Sequence, residues 1–422
     1  MASPDMSCSI TGVGAPQALS EPAPLSDYPR ALVPTHPVLS LAAFLRGPGP
    51  RIASVLDAPA RRFVTSGRVA IAHALRLMKI GPGDSVLVPA YHCASMIEPV
   101  VWSGATPVFY QVNGDTSINL DDVAAKLDGT TKAILAANYF GFPQDLPAIR
   151  SFCDAHGLMM LEDCAHCFLG EYDGVPVGSY GDYAIASSMK FFPIYEGGCL
   201  VSAHHSLDAV ELHSAGIGFE AKAALNSLEA SFAYHRLSLV KALLWLPITL
   251  KDVLWGQIKA RKGQVGPSFS PGSSDGGFSF DPAWLDKRSS RFSRLMLSLI
   301  SHRQMGRRRR QHYLKLEAAL AGLPGCRPLF AALPDGVFPW VFPLQTDNPQ
   351  AIFTTLKNQG VPIIRFGEYL WPGVDASVCP ASVDMSRRVM SFSCHQELRA
   401  AELDWMIGKI KDAMLAYGIP TP

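Results

Sequence analysis

Short apolar runs alternate with stretches of helical period along most of this chain. From Ser66, the residues Val69, Ala72, Leu75 and Leu77–Met78 recur near one face until Gly81-Pro82-Gly83 interrupts them. That spacing predicts a helix with a sharp stop. Ser85–Pro89 then reads as a short buried strand and Pro107–Val112 as the next; Asn119 opens a helix. Lys132–Asn138 is a strand, Leu146–His156 a helix and Met159–Glu162 a strand. Apolar strands alternating with helices predict an α/β fold with a mostly parallel sheet flanked by helices. Ligands of such sheets bind beyond the carboxyl ends of the strands. Ser66, Asn138 and Asp163 fall at those ends.

The pattern changes twice further on. Ser231 to Lys262 is unusually apolar, with Leu243, Leu244, Trp245, Leu246 and Trp255 among its members. Lys241, Lys251 and Asp252 interrupt it and Pro247 breaks it, so it offers no bilayer span of roughly 20 apolar residues. Its basic close (Lys259, Arg261, Lys262) and two tryptophans suit peripheral membrane contact. A helical hairpin packed on the protein's own surface suits the same pattern and is the preferred reading. Gly263–Asp281, dense in Gly, Ser and Pro, is expected to be a flexible connector. Arg291–Leu320 then reads as one long helix carrying Arg307-Arg-Arg-Arg310, whose side chains point in different directions. A solvated or ion-paired face is expected there. Strand, helix and strand follow at Phe338–Gln345, Ala351–Gly360 and Ile363–Arg365. Arg388–His395 and Leu398–Ala416 complete a smaller C-terminal α/β domain. The implied division is a tail over 1–35, a large domain over 36–310 interrupted at about 220–287, and a small domain over 311–422.

Composition narrows the function classes. The chain has 422 residues, long enough for two or three domains. Its 37 basic and 36 acidic residues balance, so nothing points to nucleic acid. Nine scattered cysteines do not form a disulfide framework, and no basic-then-apolar leader pattern opens the chain, so a cytoplasmic location is expected. Cys164-Ala-His-Cys167 lacks the second ligand pair that a structural metal needs, and no metal is expected.

The chemistry concentrates elsewhere. In chain order come Ser66-Gly67, Glu162-Asp163, Ser187, Lys190 and Gly197-Gly198. A buried aldehyde cofactor needs an amine to condense with, a carboxylate for its ring nitrogen and donors for its phosphate. That order, from about Pro37 to Ile410, resembles the DegT/StrS-type sugar aminotransferases, a branch of the fold-type I pyridoxal-phosphate enzymes. The matching stretches are Thr65–Leu75, Ile80–Asp84 with Val88–Tyr91, Gly104–Val108, Tyr139–Asp145, Glu162–His166, Gly178–Asp182 and Lys190–Gly198.

The resemblance implies that Lys190 bonds pyridoxal 5'-phosphate and that Asp163 pairs with its ring nitrogen. It assigns the phosphate to Ser66, Gly67 and Ser187; the family usually has Thr where Arg68 stands, and the Arg68 guanidinium would contact the phosphate or a substrate anion. His166, in place of the common Gln, would contact the ring's phenolic oxygen, and Asn138, in place of a His, would face the cofactor. His92 or Cys93 would lie over the ring, with Tyr91 helping to position it. The implied reaction moves an amino group from an amino acid such as glutamate to a keto group on a nucleotide-linked sugar, in polysaccharide or glycosylated-metabolite biosynthesis. A homodimer is implied with it. An aminotransferase for a lipid-like ketone or aldehyde is the alternative, motivated by the apolar insert alone. A non-catalytic homologue is the second alternative, opposed by the presence of both Lys190 and Asp163.

Overall fold

In the computed structural model, residues 28–244 and 280–418 are described. The readings for the tail up to residue 27, the apolar stretch from Trp245 to Lys262 and the connector up to residue 279 lie outside the described residues. Two main sheets organise the rest. The larger has nine strands. Five of them run parallel, in the order Thr106–Tyr110, Ser85–Pro89, Thr131–Ala137, Met159–Asp163 and Tyr183–Ser187. Gly198–Ser202 joins antiparallel beside Tyr183–Ser187, and Ala60–Val64 pairs antiparallel with its other side. Two short strands, Lys287–Arg288 and His213–Ser214, complete the edge.

Every residue of Ser85–Pro89 and Tyr183–Ser187 is buried, which is why these strands read as unbroken apolar runs rather than as alternation. Helices such as Gly67–Leu77 and Leu146–His156 connect them. Leu146–His156 ends at Gly157, whose φ of 65° lets the chain leave the helix in the left-handed region.

The smaller sheet has four antiparallel strands in the order Cys326–Pro328, Val341–Thr346, Val389–Ser393 and Ile363–Ile364. Helix Pro349–Asn358 packs on it, and Ala400–Tyr417 packs against that helix. Residues 32–40 form a strap over this second unit. Leu32 N–H donates to Gly360, Ser393 Oγ to the Thr35 carbonyl and Ser40 Oγ to Glu397, while His395 Nε2 bonds the Pro34 carbonyl.

The single helix expected over Arg291–Leu320 is two, Arg291–Leu299 and His302–Leu320. Ile300 is extended, and Ser301 caps the second helix by accepting from the Gln304 N–H. Local capping outcompetes continuation because it satisfies an otherwise orphaned donor. The arginine run is not one solvated face either. Arg310 reaches Asp335 and two carbonyls, Arg308 reaches the Leu398 carbonyl, and Arg309 is fully buried. The division expected at residue 310 falls inside this helix. Among the described residues, no helix is long and apolar enough to cross a membrane.

Candidate active site

Neighbouring strands bring the sequence candidates to one end of the large sheet. Ser187 pairs with Gly198 across one strand boundary, and Val64 pairs with Gly198 across the other. Ala137 pairs with Asp163 on the next. Asn138 follows its strand directly, and its N–H donates to the Asp163 carbonyl at 3.0 Å. Ser66 caps the Gly67–Leu77 helix by accepting from Val69 N–H at 3.4 Å. Lys190 ends the tight turn Ser188–Lys190 that follows Ser187.

Gly198 explains why a glycine pair belongs here. An added Cβ would overlap the Ser66–Gly67 backbone, so only glycine lets this strand run beneath the helix start. That close approach brings Ser187 alongside Ser66. A cavity of about 240 Å³ opens above these elements, lined by Lys190, Asp163, Ser66, Gly67, Arg68 and Ser187. Cys93, Asn138 and His166 line it as well.

The electrostatics follow from burial. Asp163 accepts the Ala165 N–H at 2.8 Å, and burial pushes its carboxyl up to about 6 against the pull of that bond and of Lys190. Burial lowers Lys190 from the ordinary lysine range; Cys93 and Asp163 oppose the shift and Arg68 adds to it. Its Nζ lies 4.6 Å from the centre of the Trp340 ring. Trp340 in turn stacks on His166 with ring centres 3.9 Å apart. Burial and the Lys190 charge hold His166 neutral. Burial also lowers Arg68 and raises the Cys93 thiol.

The geometry separates His92, Cys93 and Tyr91. Of the pair His92 or Cys93, only Cys93 lines the cavity. His92 is buried away from it, with Nδ1 on the Pro89 carbonyl and Nε2 accepting the Trp371 N–H at 2.8 Å. As cap of the Ala94–Trp102 helix, Cys93 is turned toward the site, while the preceding residue turns back onto the strand end. Tyr91 does not line the cavity. Its hydroxyl donates to the Phe366 carbonyl and its ring meets Phe366 edge-on, so it braces a residue that does line it.

Glu162 points away from the cavity. It accepts the Gly178, Tyr180 and Gly181 N–H groups and the Asn138 amide, and it fixes Asn138 from behind. Cys164 donates to Glu162, and Cys167 to the Gly141 carbonyl, so both thiols serve local packing. Among the described residues, no group of three or more His, Cys, Asp and Glu side chains is arranged for a metal.

Sequence reasoning missed His36, Ser95, Met96, Met189 and Phe366, which also line the cavity. Ser95 and Met96 follow Cys93 directly and were within reach of that assignment. His36 and Phe366 carry no sequence signal; the strap and the second sheet deliver them.

Residues 56–243 match the model of the DegT/DnrJ/EryC1/StrS aminotransferase family. The match runs past residue 220, into the stretch expected to interrupt the large domain. A UDP-N-acetyl-3-dehydro-α-D-glucosamine 3-aminotransferase of Acidithiobacillus ferrooxidans is 37% identical over 150 residues, 34% of this chain and 40% of that protein. A GDP-perosamine synthase of Vibrio cholerae is 34% identical over 142 residues, 33% of this chain and 39% of that protein. The matched stretches thus span about two-fifths of these relatives. The PLP form of Spr1654 from Streptococcus pneumoniae superposes with a TM-score of 0.60 at 19% identity, covering 85% of this chain and 88% of that one. The large, mostly parallel sheet is therefore the fold of these aminotransferases, and residues 56–243 are similar to the DegT/DnrJ/EryC1/StrS family.

Proposed function

We propose that this protein is a pyridoxal-phosphate-dependent aminotransferase that delivers an amino group to a keto group on a nucleotide-linked sugar. The observation that carries the reading is the meeting of Lys190 and Asp163 in one cavity with the start of the Gly67–Leu77 helix. The residues fit the cofactor. A buried carboxylate without a cation is costly, and Asp163 has one backbone N–H partner while its carboxyl lines the cavity. The helix start presents N–H groups and positive dipole to the same space, suited to a phosphate. Ser66, Gly67, Arg68 and Ser187 would hold the phosphate, Asp163 the ring nitrogen, and Asn138, His166 and Cys93 the ring itself.

Bound pyridoxal phosphate would supply a protonated ring able to accept electrons from the carbon that loses a proton. The protein's own groups supply the rest. Burial holds the Lys190 amine below the ordinary lysine range, which favours the neutral base that takes the proton from the donor's Cα. His166, kept neutral, offers a hydrogen bond without adding charge. The relatives act, by name, on UDP-, GDP- and dTDP-linked sugars, which supports a sugar-nucleotide acceptor and an amino-acid donor. A homodimer is part of the same reading.

Pyridoxal phosphate added to the purified chain is expected to give a visible absorbance band that borohydride bleaches. The reduced adduct should map to Lys190, and Lys190→Ala should lose both adduct and turnover. An adduct on another lysine, or retained turnover in Lys190→Ala, overturns the assignment. Nucleotide-linked 3- and 4-keto sugars offered beside keto-lipids then decide the acceptor class.

A further inference from the structure

Arg309 is the buried member of the arginine run, and the proposed reaction gives it no part. No side-chain surface reaches solvent. Its Nε donates to Gln396 Oε1 at 2.9 Å, and its Nη1 to the carbonyls of Pro339 at 3.2 Å and Trp340 at 3.0 Å. Its Nη2 donates to the carbonyls of Lys190 at 3.1 Å and Phe191 at 3.4 Å. The guanidinium lies 4.5 Å from the centre of the Phe191 ring. No carboxylate hydrogen-bonds it, and burial lowers the group to about 10 against the pull of the nearby Cys394 and Glu397. A buried cation whose hydrogen bonds all go to neutral acceptors is an expensive way to fill a core, and an apolar side chain of similar volume often serves stability as well.

What Arg309 touches gives it another purpose. Two of its acceptors belong to Lys190 and the residue after it. A third belongs to Trp340, whose ring lies beside the Lys190 amine. Gln396 closes the loop, since its Nε2 donates to the Phe191 carbonyl at 2.8 Å. We propose that Arg309 is a positioning residue for Lys190: it fixes the lysine's backbone and the indole beside its amine, so that the amine stays in its buried setting. This rests on the reading of Lys190 as the reactive amine.

Trace acetylation of the cofactor-free, full-length protein, followed peptide by peptide across pH, measures that amine directly. It reports on Arg309 whether or not Lys190 bonds pyridoxal phosphate, so the two ideas fail separately. The charged and titratable groups facing Lys190 are Asp163, Cys93, Arg68, His36 and His166, and all are kept in the variants. Arg309→Lys keeps the positive charge but not the fork of donors, and Gln396→Leu removes the brace without touching a charge. Each is expected to raise the pH midpoint of Lys190 acetylation by about one unit, slowing the reaction about tenfold at pH 8. Arg309→Met is expected to do so more strongly, provided it folds. Leu316→Ala, a buried change on the same helix, is expected to lower thermal stability and leave the midpoint in place. An unmoved midpoint in both Arg309→Lys and Gln396→Leu overturns the proposal and leaves Arg309 a packing residue.

Discussion

Glu162 and Asp163 are adjacent on one strand and equally cut off from solvent, yet they face opposite surroundings. Glu162 meets three backbone N–H groups, the Asn138 amide and the Cys164 thiol. Asp163 meets one backbone N–H and otherwise the cavity. Burial raises both carboxyls. The difference shows that burial alone does not mark a functional acid. A carboxylate whose acceptor sites are filled by the fold is spent on structure, whereas one left short of donors is available to a ligand. Alternation along the strand produces the contrast, because successive side chains point to opposite faces.

The largest expected effect separates the two acids by rate. Asp163→Asn keeps the shape and removes the charge, and turnover is expected to fall by about three powers of ten, roughly 4 kcal/mol. Steady-state kinetics with a working donor and acceptor pair check it, and a wild-type rate would make Asp163 as structural as its neighbour. The next test uses proton linkage. A carboxyl raised from 3.8 to about 6 favours the protonated form on folding. Its contribution is therefore complete below the unfolded value and is lost as pH rises through about 6. Urea unfolding of the cofactor-free protein should show that loss, about 2 kcal/mol between pH 4 and pH 7, and Asp163→Asn should flatten the curve. A flat wild-type curve would mean that other groups already compensate Asp163. The smallest effect belongs to Glu162→Gln. An amide in a ring of N–H donors leaves some unpaired, so stability should drop by about 2 kcal/mol while turnover stays within about tenfold of wild type. A larger loss of turnover than in Asp163→Asn would invert the comparison.

Much of this was legible in the chain. Four of the five parallel strands stood out because each carries a short apolar run between stretches of helical period. Lys190, Asp163, Ser66 and Ser187 stood out because their order matches the parts a cofactor site needs. Other features depended on competition between local options. Ser301 ended a helix that periodicity would have continued, and the turn at Cys93 chose it over His92 for the cavity. His36, Phe366 and Trp340 lie far in sequence from Lys190, and no local pattern ties them to it.

By itself, then, the sequence determined which candidate residues meet at one end of the sheet and which strands hold them, because strand ends and caps depend on neighbours a few positions apart. Only the tertiary structure decided which of two adjacent acids faces the cavity and which is sealed behind it. It alone decided that one arginine of four abandons solvent for the carbonyls of Lys190 and Phe191. Those outcomes depend on hydrogen-bond partners more than 100 residues away for Arg309, and on a loop folded back over the strand for Glu162. Burial and the need to satisfy every buried donor and acceptor fix such partners, and they act only once the chain has closed.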